Sequence, residues 1–257
     1  MDPSSASARL VEAFSSFQGE GPYAGAPQVF LRFELCNLRC RYCDTEESLV
    51  RQERFRIRRG PAGAAGEVEE RANPVSADDL LAILDELDPR GAAHHSVSLT
   101  GGEPLLQARF LSGFLPRASD GGRRRFYLET DAVLVGALRD VLPHVAIVAA
   151  DVKIPSATGE PPRWADHRAF LSACVAAGKE TFVKLVVSRE TTAAEISRAL
   201  RESLPDRPMT VVIQPVTPRG GAAPPPIEAI AELVRAAAGV AREVRFLPQV
   251  HRLVGIP

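Results

Sequence analysis

Cysteine is scarce, with four in 257 residues, too few for a disulfide scaffold in a chain of this size. An excess of either charge is missing too: the formal net charge is -1, so no global field draws in nucleic acid or an acidic membrane, and neither is expected as a partner. No apolar run approaches bilayer-spanning length, and Met1 to Arg9 lacks the basic stretch and apolar core of a leader. These absences point to a cytoplasmic protein acting on a small molecule. No internal repeat stands out beyond a rhythm of strands and helices. The 45% hydrophobic and 25% charged residues are ordinary for a globular fold, and the length suits one domain spanning residues 1–257.

Six short β-like runs recur: Val29 to Glu34, Ser96 to Thr100, Phe126 to Glu129, Ile147 to Asp151, Phe182 to Val187 and Thr210 to Gln214. Helix-like segments lie between them. The clearest starts at Ser76, with Asp79 at the capping-box position ahead of Leu80, Leu81 and Leu84; others cover Ala132 to Val141, Trp164 to Ala177, Ala193 to Ser203 and Ile227 to Ala238. This alternation implies a parallel α/β sheet, curled into a barrel or left open and doubly wound, with its site at the carboxyl ends of the strands. The segment 46–74 interrupts the rhythm as a basic, glycine-rich insertion. Its Arg54-Phe55-Arg56-Ile57-Arg58 alternation reads as an edge strand or hairpin arm with a solvated arginine face, running into a flexible turn at Gly60 to Gly66.

Three of the four cysteines crowd into Cys36-Asn37-Leu38-Arg39-Cys40-Arg41-Tyr42-Cys43, a CxxxCxxC pattern directly after an apolar strand. A cubane iron-sulfur cluster normally takes four thiolates, so three on one loop leave one iron open to another molecule. S-adenosylmethionine can chelate that iron through its amino and carboxylate groups, and an electron from the cluster then cleaves it to a 5'-deoxyadenosyl radical. The alternative is a zinc site completed by Asp44 or a distant histidine; zinc sites more usually pair two CxxC knuckles, and there is no second knuckle. Cys174, on a helix-like segment, reads as a small buried apolar residue.

Further stretches carry a pattern. Phe17-Gln18-Gly19-Glu20-Gly21 precedes Val29 to Arg32; Thr100-Gly101-Gly102-Glu103-Pro104, Glu129-Thr130-Asp131-Ala132, Asp151-Val152-Lys153 and Gln214-Pro215-Val216-Thr217 each follow or end a strand; and Gln249 to Pro257 closes the chain. With these in place the chain resembles radical S-adenosylmethionine (radical SAM) enzymes, and within them the 7-carboxy-7-deazaguanine synthase family. The resemblance implies a modified, incomplete (β/α)6 barrel and a lyase reaction in queuosine biosynthesis, in which 6-carboxy-5,6,7,8-tetrahydropterin becomes 7-carboxy-7-deazaguanine and ammonia.

It also implies roles. Cys36, Cys40 and Cys43 would hold a 4Fe-4S cluster. Phe17, Gln18, Gly19, Glu20, Arg32, Thr100 and Pro257 would orient the pterin, Arg32 by pairing with its carboxylate. Tyr42, Cys43, Asp44, Gly102, Glu103, Glu129, Asp151, Val152, Lys153, Gln214, Pro215, Val216 and Thr217 would border S-adenosylmethionine, with Glu103 accepting from its ammonium group. Thr45 would supply an oxygen to Mg2+, although a threonine there also suits a helix cap. The family's Glu-Thr-Asn-Gly is here Glu-Thr-Asp131-Ala132, and Asp131 is expected as a salt-bridged surface residue. An electron donor such as a flavodoxin and a homodimer are expected partners. The rivals are a glycyl-radical activating enzyme, against which the pterin-like Gln18 to Gly21 stretch argues, and a non-enzymatic zinc or iron-sulfur binding module, which would leave the other strand-end loops without purpose.

Overall fold

The computed structural model describes residues 7–59, 67–89, 93–207 and 209–257, so the expected turn at Gly60 to Gly66 lies outside the described residues. The elements follow in chain order: β1 (Ser7–Ala8), β2 (Leu10–Phe17), β3 (Pro27–Phe33), β4 (Arg54–Arg59), β5 (Glu67–Ala72), β6 (Val75–Ser76), α1 (Ala77–Leu87), β7 (Ser96–Gly101), α2 (Ala108–Ala118), β8 (Phe126–Thr130), α3 (Val135–Val141), β9 (Ile147–Asp151), α4 (Pro155–Thr158), α5 (Trp164–Ala176), β10 (Glu180–Val187), α6 (Ala193–Ser203), β11 (Thr210–Pro215), α7 (Ile227–Ala238), β12 (Glu243–Phe246) and α8 (Val250–Val254). The six expected strands are all present as β3 and β7 to β11. Ser76 caps α1 as expected, accepting from the Asp79 N–H at 3.1 Å while its hydroxyl donates to the Asp79 carboxylate at 2.6 Å.

Ten strands form one sheet in the order β12-β11-β10-β9-β8-β7-β3-β2-β4-β5. From β12 to β3 every neighbour is parallel; β2 runs antiparallel to β3, and β4 and β5 add an antiparallel hairpin beyond it. The sheet ends in two edges, β5 and β12, so the barrel is incomplete. This matches the expected incomplete barrel, and the β4–β5 pair confirms the hairpin arm.

The period of two along a strand sorts the side chains. Leu31, Leu99, Leu128, Val148, Leu185 and Ile213 turn to one face, where Leu80, Leu111, Leu138, Phe170, Leu200 and Leu233 of the helices bury them. On the other face lie Tyr127, Ala149, Phe182 and Val212 in a smaller apolar cluster. Two residues further along the same strands, on that same face, come Glu129, Asp151, Lys184 and Gln214. The polar ends of the parallel strands therefore collect on one side of the sheet, above an apolar floor.

Several elements depart from expectation: β2 and β12 were not anticipated as strands, nor α4 and α8 as helices. α2 was not anticipated, although Phe110, Leu111, Phe114 and Leu115 recur at helical spacing and are buried. α3 begins at Val135 rather than Ala132, because residues 131–133 form a turn: Ala132 has a positive φ of 58°, and the Val133 N–H donates to Asp131 Oδ1 at 3.2 Å.

Candidate active site

The strand ends surround a cavity of about 450 Å³. Its wall includes Phe17, Gln18, Gly19, Glu20, Arg32, Thr100 and Pro257, the cysteines Cys36, Cys40 and Cys43, and Tyr42, Asp44, Thr45, Gly102, Glu129, Asp151, Lys153, Gln214, Val216 and Thr217. Twenty of the residues singled out in the sequence thus meet in one place. Glu103, Val152 and Pro215 stand behind that wall.

The cysteine loop is tied to the glycine turn by backbone geometry. Phe33, at the end of β3, pairs with Gly101. The Gly102 N–H then donates to the Phe33 carbonyl at 3.0 Å and the Glu103 N–H to the Leu35 carbonyl at 2.7 Å. A Cβ on Gly102 would collide with the Leu35 carbonyl, so glycine is required by close approach. Leu35 itself sits at φ 68°, a left-handed conformation that costs a side-chain residue about 1–2 kcal/mol. The strain lies immediately before Cys36 and aims the loop back over the strand ends.

Burial pushes the Cys36 thiol up to about 11 and raises Cys40 as well, so metal binding here would release protons. The fourth cysteine, Cys174, is fully buried in α5, far from the strand-end wall, as expected. The donor set fits a cluster held by three thiols.

Among the described residues, three buried acceptor oxygens around the cavity have no hydrogen-bond partner: Asp131 Oδ2, Asp151 Oδ1 and Gln214 Oε1. Orphaned acceptors of this kind match a ligand rich in donors, and an ammonium group, ribose hydroxyls and an adenine amine supply them. The residues therefore fit S-adenosylmethionine.

Asp131 overturns one expectation. It is 6% exposed and, among the described residues, makes no salt bridge, because the turn at Ala132 folds its side chain inward onto the Val133 N–H. Burial raises its pKa. Glu103 is more deeply enclosed: Thr130 Oγ1 and the Leu105 and Asp131 N–H groups all donate to it at 2.8–3.0 Å. Burial, and next the charge of Asp131, push it up to about 8. Of the two acids, Asp131 faces the cavity.

Gln18 and Glu129 link the two halves of the wall. Gln18 Nε2 donates to Glu129 Oε1 and to Gln28 at 3.0 Å, while Gln18 Oε1 receives the Glu20 N–H at 3.0 Å. Glu129 also accepts from Ser98 and Thr100. One participant, Lys184, carried no sequence signal that was read. Lys184 on β10 bridges Glu20 and Asp151, and burial is outweighed by these two charges, so its ammonium is strongly held. Gln249 donates to Glu20 at 2.7 Å and to Asp44 at 3.1 Å, and Arg252 pairs with Asp44 at 2.9 Å. Lys153 pairs with Asp151 at 2.9 Å and lies over the Tyr42 ring. The Thr45 hydroxyl makes no cap for the following turn; it lies 3.8 Å from Cys43 Sγ.

A model of the radical SAM superfamily matches residues 31–203. A 7-carboxy-7-deazaguanine synthase from Geobacter sulfurreducens is 40% identical over 96% of this chain and 97% of its own length. The chain belongs to the 7-carboxy-7-deazaguanine synthase family. A second member, from Methanopyrus kandleri, is 36% identical over 95% of this chain and 92% of its own. The fold also matches the crystal structure of QueE from Escherichia coli, with a TM-score of 0.59 at 20% identity over 95% of both chains. Radical SAM membership implies a 4Fe-4S cluster and S-adenosylmethionine as cofactors. Among the described residues, no helix is long and apolar enough to cross a membrane.

Proposed function

We propose that this enzyme converts 6-carboxy-5,6,7,8-tetrahydropterin to 7-carboxy-7-deazaguanine and ammonia, on the way to queuosine and related deazapurines. One observation carries the reading: a single cavity joins the three-cysteine loop and its glycine turn to Gln18, Glu20, Arg32 and Pro257. When bound, the cluster and S-adenosylmethionine supply the electron and the adenosyl radical that start the reaction. Cys36, Cys40 and Cys43 hold the cluster. Asp131, Asp151 and Gln214 offer the free acceptors that orient S-adenosylmethionine, with Tyr42, Cys43, Asp44, Gly102, Lys153, Val216 and Thr217 around them. Glu103, Val152 and Pro215 support this wall from behind.

On the substrate side, Arg32 binds the pterin carboxylate, and Gln18, Glu20 and Thr100 read the donors and acceptors of the ring. Glu20 already accepts from Gln249 and Lys184, but a carboxylate has further lone pairs for a ring N–H. Phe17, Gly19 and Pro257 close the pocket against water. Thr45, uncommitted to capping, supplies an oxygen to Mg2+ beside the substrate. We place the reaction in one cytoplasmic domain spanning residues 1–257, working as a homodimer and reduced by a flavodoxin-like donor.

The test is anaerobic incubation of reconstituted protein with S-adenosylmethionine, reductant, Mg2+ and the carboxylated pterin, read by mass spectrometry. Carboxydeazaguanine is the expected product. Slow 5'-deoxyadenosine without it would reject this substrate, and a colourless protein yielding neither would reject the cluster.

A further inference from the structure

Glu12, on β2, stands directly between two arginines on neighbouring strands, paired in register with Arg32 of β3 and Arg56 of β4. Its carboxylate is buried, a costly place for a lone charge. Arg32 Nε donates to Oε1 at 2.9 Å, Arg58 Nε to Oε2 at 2.8 Å, and Arg56 Nη2 lies 3.7 Å from Oε2. Burial would raise its pKa, but Arg32 and Arg58 reverse this and hold it below the usual carboxylate range. The arginines of the 46–74 insertion are therefore not a merely solvated face, as the sequence suggested: two of them reach back to the cavity wall.

The arrangement has a direction. Arg32 spends its Nε on Glu12, and its guanidinium lies over the Phe14 ring at 5.7 Å; among the described residues its terminal Nη groups make no hydrogen bond. Arg56 also pairs with Glu47 at 2.7 Å, so both carboxylates are taken up by the three arginines while the Arg32 Nη groups are left over. That remainder suits a single carboxylate presented end-on to the Nη pair.

We infer that Glu12 is a positioning residue, which turns Arg32 toward the substrate carboxylate, and that Arg58 and Arg56 of the hairpin hold Glu12 in place, making the insertion a specificity element for carboxylated pterins. This rests on the reaction proposed above. A residue that only stabilised the fold would weaken binding of every pterin alike, whereas this device discriminates by the carboxylate.

The experiment uses the reconstituted enzyme with S-adenosylmethionine. It compares KM for 6-carboxytetrahydropterin with the inhibition constant of tetrahydropterin lacking the carboxylate, in wild type, Arg58→Gln, Arg58→Lys and Glu12→Gln. Arg58 is partly exposed, so its variants keep the test open should Glu12→Gln fail to fold. Arg58→Gln and Glu12→Gln are expected to raise KM about tenfold, leave kcat within about twofold, and leave the inhibition constant unmoved. Arg58→Lys is expected to recover most of the loss. An active wild type whose variants shift both constants together, or neither, would overturn the inference alone. A wild type inert toward the carboxylated pterin would overturn the reaction, and the inference with it.

Discussion

Gln249 donates its side-chain amide to Glu20 across 229 positions of the chain, at 2.7 Å. The neighbouring Val250 N–H donates to the Gly19 carbonyl at 2.9 Å, and Gln249 Oε1 accepts from Thr217. The segment around α8 is thus a strap across the Gln18 to Gly21 turn. Gln249→Leu removes the bond to Glu20 and leaves a buried acceptor short of one donor, a loss of about 1–3 kcal/mol. The expected outcome is KM for the pterin raised about tenfold or more, with the cluster's absorbance intact. Steady-state kinetics and visible spectra on one preparation check both.

Ala132 occupies a left-handed position with its methyl group fully buried. Ala132→Gly relieves about 1 kcal/mol of backbone strain at the cost of a small cavity, so stability is expected to change by less than about 1 kcal/mol. Ala132→Val adds branching where neither φ nor space allows it, and should cost about 2 kcal/mol or more. Denaturant unfolding of both variants decides; a Val variant as stable as the parent would contradict the turn.

His167 is fully buried, with Nε2 donating to the Asp131 carbonyl at 3.1 Å and Nδ1 unpartnered. Burial drives its pKa down from 6.5 to about 4. The folded state therefore holds it neutral, while the unfolded chain takes up a proton as the pH drops below 6.5. The stability this group confers is complete above pH 6.5 and is lost as the pH falls from there to about 4, up to about 3 kcal/mol. His167→Gln should be less stable at neutral pH yet show a flatter decline over that range, measured by denaturant titrations across it.

Cys40→Ala removes one thiol from the cavity rim and should abolish both iron-sulfur colour and turnover. Cys174→Ala removes a buried sulfur in α5 and should keep both, at a stability cost of about 1 kcal/mol. Iron and sulfide analysis beside the activity assay separates the two; a Cys40 variant that retained its colour would sink the ligand assignment.

Much of the scaffold was readable because parallel strands buried on both faces are short apolar runs, and all six were found that way. The motif residues were readable because a glycine turn or a cysteine spacing is local in sequence. Lys184 and Glu12 were not. Each owes its place to a partner on a distant strand, and the charge of Lys184 inside the β10 run looked like any polar break in a strand. Asp131 was misjudged for the same reason: its inward turn depends on the φ of Ala132, which residue type alone argues against. The arginines of β4 alternate as an edge strand's would, and only the register against β2 reveals what two of them touch.

The strap has a consequence for the birth of the molecule. The cysteine loop and its glycine partner lie within the first 103 residues, whereas the strap that holds the Gln18 to Gly21 turn begins at Gln249. At about 5–20 residues per second, a ribosome needs on the order of ten seconds to travel from one to the other. For that interval the nascent chain carries its cluster loop without the strap, so the Gln18 to Gly21 turn is the part of the wall that waits for the last residues to hold it.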